Sequence, residues 1–233
     1  MTGRGGCRIA LVEDHLLFAE SLEIALSMEG NEVRRIPLAG NTRSVITLLP
    51  QVLRVRPRIV LLDLDLGAHG NGVQLIEPLS RAGVAVIVVT GNTDKVQWGE
   101  CLRYGARTVL PKTSRLNEIL AAVRRINNGL PVVKPEEREE LIQQWHSHRV
   151  TAHELRSRLE RLTHREQEVL GHLMLGHQVR EIASHSVVSE ATVRTQVKSI
   201  LAKLEVGSQL AAVGVAHQAG WRPPPPPPNS RAV

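Results

Sequence analysis

Two stretches, Ile59-Val60-Leu61-Leu62 and Val84-Ala85-Val86-Ile87-Val88-Val89, are apolar at every position. A strand with one face in water alternates apolar and polar residues, because successive side chains point to opposite faces. An unbroken run therefore marks a strand covered on both sides, and sheets made of such strands are parallel, with helices on each face. Three further runs, Arg8 to Val12, Glu32 to Ile36 and Thr108 to Leu110, alternate with helix-like segments up to about residue 128. Five strands and five helices predict one compact α/β domain. The mixed polarity of Glu32 to Ile36 predicts an edge strand.

The 233 residues, 42% of them hydrophobic, suffice for this domain and a smaller second one. No apolar run approaches the ~20 residues that cross a bilayer. Met1 to Cys7 lacks the apolar core of a signal peptide, so a cytoplasmic protein without membrane association is expected. Cys7 and Cys101 lie in unrelated segments, which argues against a disulfide framework, and the ten histidines include no HExxH spacing. A net charge of +6 permits a polyanionic partner without identifying one.

In an open parallel sheet, ligands bind outside the carboxyl ends of the strands. Those ends carry reactive residues here: Glu13 and Asp14 after the first strand, Asp63 and Asp65 after the third, Thr90 after the fourth, Lys112 after the fifth. Carboxylates converging on one point repel unless a cation lies among them, and hard oxygen ligands with room for water suit Mg²⁺. A carboxylate beside Mg²⁺, with a hydroxyl and an ammonium at hand, can attack a phosphoryl group and become an aspartyl phosphate. Thr90 would then bond the new phosphoryl oxygens and draw its loop inward.

Val12-Glu13-Asp14-His15, Leu61-Leu62-Asp63-Leu64-Asp65, Val88-Val89-Thr90-Gly91 and Leu110-Pro111-Lys112 resemble, in order, the motifs of the receiver domain of bacterial response regulators. The resemblance covers about residues 7 to 128 and implies a flavodoxin-like (βα)5 fold. It selects Asp63 as phosphoacceptor, Glu13 and Asp14 with Asp63 as Mg²⁺ ligands, and the backbone carbonyl of Asp65 as a further ligand. Thr90 and Lys112 become the phosphate-binding pair. Two positions depart from the family: Gly67 stands where a proline is usual, and Val109 where an aromatic residue precedes the lysine by three.

Pro131 to about Arg161 is polar and charged and reads as a linker, with Leu155, Leu159 and Leu162 at helical spacing in its later part. The remainder is helical in pattern. Thr163-His164-Arg165-Glu166 has the form of a capping box, Gly176 supplies a stop, and Ser189 and Ser208 can cap two later helices. Val193, Val197, Ile200 and Leu204 line one side of the third helix, leaving Ala191, Arg194, Thr195 and Lys198 on the other. With Lys203, that helix carries three cations against Glu190 alone, a balance that suits phosphate and base-edge contacts and is shared by a solvated basic face.

Leu162 to Leu170, Glu181-Ile182-Ala183, Ser189 to Thr195 and Leu201-Ala202-Lys203-Leu204 resemble the LuxR-type helix-turn-helix domain over about 60 residues. Joined to a receiver, the chain resembles the NarL/FixJ class of response regulators. That class implies a sensor histidine kinase as phosphoryl donor, double-stranded promoter DNA as target, RNA polymerase as a further partner, and a homodimer in the active form. Arg194, Thr195, Lys198 and Lys203 would contact DNA, and Ser208 to His217 would dimerise. Departures are Val187 at a turn position commonly glycine, Gln196 in place of a histidine and Gln209 in place of an arginine.

The expected organisation is a receiver over 1–128, a partly helical linker over 129–157, a small all-α helix-turn-helix domain over 158–222 and a polyproline tail over 223–233. The expected function is a phosphorylation-dependent transcription regulator, not an enzyme. One alternative is DNA binding without phosphorylation control. Another is a haloacid-dehalogenase-like phosphatase, which Asp63-Leu64-Asp65 echoes; that family places an acidic pair after the lysine, where this chain offers only Glu118. A LuxR-type sensor of small molecules is disfavoured, because the strands end in charge rather than around an apolar pocket.

Overall fold

The computed structural model describes residues 6–38 and 44–223. The polyproline tail beyond Pro223 lies outside the described residues. The chain divides into two compact units, Met1–His146 and Ser147–Val233.

In the first unit, β1 (Arg8–Val12), β2 (Glu32–Arg35), β3 (Ile59–Leu62), β4 (Ala85–Thr90) and β5 (Thr108–Pro111) form one sheet in the order β2-β1-β3-β4-β5. Every neighbouring pair is parallel. The helices are α1 (Leu16–Met28), α2 (Leu49–Arg54), α3 (Val73–Arg81), α4 (Lys95–Arg103) and α5 (Leu116–Asn127). Strand ends differ from the sequence reading by a residue, as hydrogen-bond assignment at an element's end commonly does.

The unbroken apolar runs follow from coverage on both faces. Ala10, Val12, Val60, Leu62, Val86 and Val88 point to one core, shared with Val52, Leu75, Ile76, Leu79 and Leu102 of α2 to α4. Ile9, Leu11, Ile59, Leu61, Ile87 and Val89 point to the other, with Leu22 and Leu26 of α1 and Ile119 and Val123 of α5. Neither face of β3 can carry a polar residue without burying it unpaired. β2 is the exposed edge.

The segment read as a linker contains α6 (Pro135–Glu160), a single 26-residue helix. Its first half packs within the first unit. Arg138 donates to the carbonyls of Ala106 (2.9 Å) and Leu102 (2.6 Å), and Trp145 is buried, edge-on to Tyr104. Gly99 of α4 makes the approach possible, since a Cβ there would sit 2.1 Å from the Leu141 carbonyl oxygen. Leu155 and Leu159 of its second half, with Leu162 beyond it, belong to the core of the second unit.

That core is completed by α7 (His164–Met174), α8 (Val179–Ser186), α9 (Glu190–Leu204) and α10 (Gln209–Gln218). The Thr163–Glu166 capping box forms at the start of α7, and Ser189 and Ser208 cap α9 and α10 through their hydroxyls. Val187 closes α8 in the left-handed conformation at φ 53° and is fully in solvent. Among the described residues, no single helix is long and apolar enough to cross a membrane.

Candidate functional site

Parallel register sets the acidic constellation. Val12 pairs with Leu62, and the Asp63 amide donates to the Val12 carbonyl (2.9 Å), so Glu13 and Asp63 leave adjacent strands side by side. On the other side of β3, β4 ends at Thr90, whose carbonyl accepts from the Lys112 amide (2.8 Å) just past β5. The sheet's twist and pairing therefore deliver residues from four strand ends to one place.

Asp63 is 2% exposed. Lys112 Nζ lies 2.7 Å from Asp63 Oδ2 and 2.7 Å from Glu13 Oε1. Ligand atoms of Glu13, Asp14, His15 and Asp63 all lie within 4.8 Å of one another. Asp63, Thr90 and Lys112 line one cavity of about 470 Å³ above the sheet. The spatial requirement on which the sequence reading rests is met: residues 13, 14 and 63 gather, with 90 and 112 beside them.

Charge in this pocket is unbalanced. Burial pushes the Glu13 carboxyl above its ordinary pKa, and the Asp63 charge adds to that; the Lys112 hydrogen bond and the His15 amide oppose them. Burial likewise works against the Lys112 cation, yet its bonds to Asp63 and Glu13 raise its pKa above the ordinary lysine value. One ammonium thus faces a surplus of carboxylates in a half-open, water-accessible cleft. Oxygen donors in such surplus fit a hard divalent ion better than a second lysine would, because an ion accepts several ligands at once.

The loop after β3 has its own constraints. Asp65 is exposed and lines the cavity, and its carboxylate accepts from the Gly67 amide (3.2 Å). Gly67 has φ 56°, which proline, fixed near −65°, cannot adopt, so a proline would not fit this backbone at the position. Gly72 lets the loop return, since a Cβ there would lie 2.2 Å from the Asp63 carbonyl oxygen. Val109 is buried in the core that includes Trp98 and Tyr104 at its margin, so aromatic bulk in this region comes from α4 and the residue after it.

Three neighbours had no assigned role in the sequence reading. His15 Nδ1 lies 2.8 Å from Asp14 Oδ1 and 3.1 Å from Glu13 Oε1. The buried Oε1 of Gln97 has no hydrogen-bond partner among the described residues and belongs to the cavity lining. Gly72 was the third. Adjacency to the acidic pair was the only available signal for His15; Gln97 offered none.

In the second unit, Ala191, Arg194, Thr195 and Lys198 are exposed on α9 opposite the buried Val193, Val197, Ile200 and Leu204. Lys203 is different. Its Nζ lies 2.6 Å from Oε2 of the buried Glu166, which also accepts from the Ser199 hydroxyl (2.6 Å) and the Thr163 amide (2.7 Å). Lys203, expected among the DNA contacts, thus has an ion-pair partner within its own domain, on a carboxylate that the capping box also uses, while about a third of its side chain stays exposed. Burial opposes the Glu166 charge, but the bonds from Lys203, Ser199 and Thr163 outweigh it and hold the pKa down to about 2.

Comparison with known proteins matches one family within each unit. Residues 9–124 match the response regulator receiver domain, and residues 160–216 match the bacterial regulatory proteins of the luxR family. The chain is similar to the transcriptional regulatory protein DesR of Bacillus subtilis, 25% identical over 213 residues, covering 91% of this chain and 98% of that protein. It is also similar to the response regulator protein VraR of Staphylococcus saprophyticus, 29% identical over 213 residues, covering 91% and 96% respectively. A solved structure of the two-component response regulator RcsB–DNA complex aligns with a TM-score of 0.48 at 20% identity, over 92% of this chain and 99% of that one.

Proposed function

The chain belongs to the two-component response regulators that join a receiver domain to a LuxR-type DNA-binding domain, and on that premise we propose that Asp63 is its phosphoacceptor. The donor is a sensor histidine kinase. The Asp63 carboxylate forms the new P–O bond as the P–N bond to the donor imidazole breaks. The observation that carries this reading is the buried Asp63 carboxylate held 2.7 Å from Lys112 Nζ, within 4.8 Å of the donors of Glu13 and Asp14.

Glu13, Asp14, Asp63 and the Asp65 backbone carbonyl would hold Mg²⁺, which when bound neutralises charge on the phosphoryl oxygens. The chain's own groups do the rest. Lys112, already between Glu13 and Asp63, is placed to pair with a phosphoryl oxygen. The Thr90 hydroxyl now accepts from the Asn92 amide (3.1 Å). Re-aiming it toward the acyl phosphate pulls on the loop that leads into α4, and Trp98 ties that loop to the helix through its indole N–H on the Asn92 carbonyl (2.9 Å).

Phosphorylation then shifts a pre-existing equilibrium toward a dimer whose α9 enters the major groove of promoter DNA. Arg194, Thr195 and Lys198 make the contacts, Lys203 supports the helix from behind, and α10 with the exposed Leu210 pairs the subunits. The protein acts in the cytoplasm, recruits or obstructs RNA polymerase, and is not an enzyme. The receiver spans 1–128, the connecting segment 129–157 and the DNA-binding domain 158–222.

Incubation of the full chain with Mg²⁺ and acetyl phosphate, followed by intact-mass measurement and a promoter-binding assay, tests this. Wild type gains one phosphoryl group and binds DNA more tightly; Asp63→Ala does neither. Absence of the adduct on wild type, with DNA binding intact, would make the receiver a scaffold. Sustained turnover of phosphoesters would make it a phosphatase.

A further inference from the structure

At the amino ends of β3 to β5, opposite the acidic pocket, a cavity of about 720 Å³ opens between the sheet and the segment that follows α5. Three arginines, Arg58, Arg107 and Arg138, line it, and no carboxylate does. Their donors are only partly used. Arg138 bonds the Ala106 and Leu102 carbonyls, Arg58 bonds the Asn127 carbonyl (3.0 Å), and the Arg107 guanidinium has no hydrogen-bond partner among the described residues. Burial and then the Arg107 charge both disfavour the Arg138 cation. The fold thus holds three like charges around one space with nothing of opposite sign in its wall.

We propose that this cavity binds a small molecule carrying two adjacent phosphoryl groups, as inorganic pyrophosphate and nucleoside diphosphates both do. Guanidinium forks match phosphate oxygens in geometry as well as charge. A single phosphate, at about −2, leaves one arginine uncompensated, whereas a diphosphate near −3 balances all three. The volume lies within the roughly 300–1,000 Å³ of small-molecule pockets. Ser80 offers a hydroxyl, and Ile126 and Val132 supply an apolar wall against which a nucleoside can lie. Because Arg138 belongs to α6, an occupant ties the start of that helix to the lower edge of the sheet.

Isothermal titration of the full chain in EDTA, which keeps divalent ions off the acidic pocket, with pyrophosphate and with ADP in separate runs, provides the test. Both probes bind saturably to wild type. Arg107→Ala, which removes no internal hydrogen bond, weakens binding at least about tenfold. Arg58→Ala/Arg107→Ala weakens it further, Arg107→Lys falls between, and Arg194→Ala/Lys198→Ala binds as wild type does. Tighter binding of ADP than of pyrophosphate assigns the site to nucleotides; equal affinity assigns it to the diphosphate group alone. No saturable heat with wild type overturns the proposal, as does unchanged affinity in Arg107→Ala and the double variant, or loss of binding in the Arg194/Lys198 variant.

Discussion

Each unit places a lysine on a buried carboxylate: Lys112 lies 2.7 Å from Asp63, and Lys203 lies 2.6 Å from Glu166. The chemistry is the same and the outcome is not. Glu166 is surrounded by donors from Lys203, Ser199 and Thr163, so its charge is fully answered and the pair fastens α7 to α9. Asp63 shares its lysine with Glu13, has Asp14 within reach, and opens onto a cavity. A satisfied pair stabilises; an undersatisfied cluster of acids leaves charge unanswered beside an open cavity. What separates structure from reactivity is therefore the count of partners around the pair rather than the pair itself.

Removing a carboxylate should have opposite signs in the two places. Glu166→Gln lowers stability by about 2 kcal/mol at neutral pH, measured by chemical denaturation, since Lys203 and Ser199 lose a charged acceptor. The same depressed carboxyl makes stability pH-dependent. Its contribution is present above the unfolded value of 4.5 and is lost as pH falls from there toward about 2, a slope that Glu166→Gln removes. Asp14→Asn, by contrast, relieves repulsion and raises stability by about 0.5 kcal/mol. Equal losses in both variants would erase the distinction.

A smaller effect separates the two lysines of α9. If Lys198 meets phosphate and Lys203 does not, Lys198→Ala reduces the salt dependence of promoter binding by about one ion, while Lys203→Ala leaves the slope alone and lowers the melting temperature. Val187→Gly tests the turn between α8 and α9: it stabilises the helical unit by about 0.4 kcal/mol, because a β-branched residue at φ 53° gives way to one without a Cβ, less the extra entropy glycine loses on folding. A destabilised glycine variant would mean the turn depends on the valine side chain.

Much of this was legible in the chain. The strands could be read because Ile59 to Leu62 and Val84 to Val89 admit no polar face, and the acidic pocket because Asp63, Thr90 and Lys112 follow directly on strands. The capping box of α7 was equally plain. Other features were hidden by their distance in sequence. Gly99 is ordinary in a helix until Leu141 arrives against it, and nothing local marks Trp145 for burial beside Tyr104. Lys203 looked like a member of a basic face, since helical periodicity gives direction but not which acid lies beneath.

By itself the sequence determined the architecture and the chemical inventory, because hydrophobic period and the residues at element ends are local properties that survive any packing. Only the tertiary structure decided which charges are answered and which are left over. That sorting depends on residues 37 to 99 positions apart, such as Glu166 with Lys203 and Glu13 with Lys112, brought within hydrogen-bonding distance by burial of the cores around them.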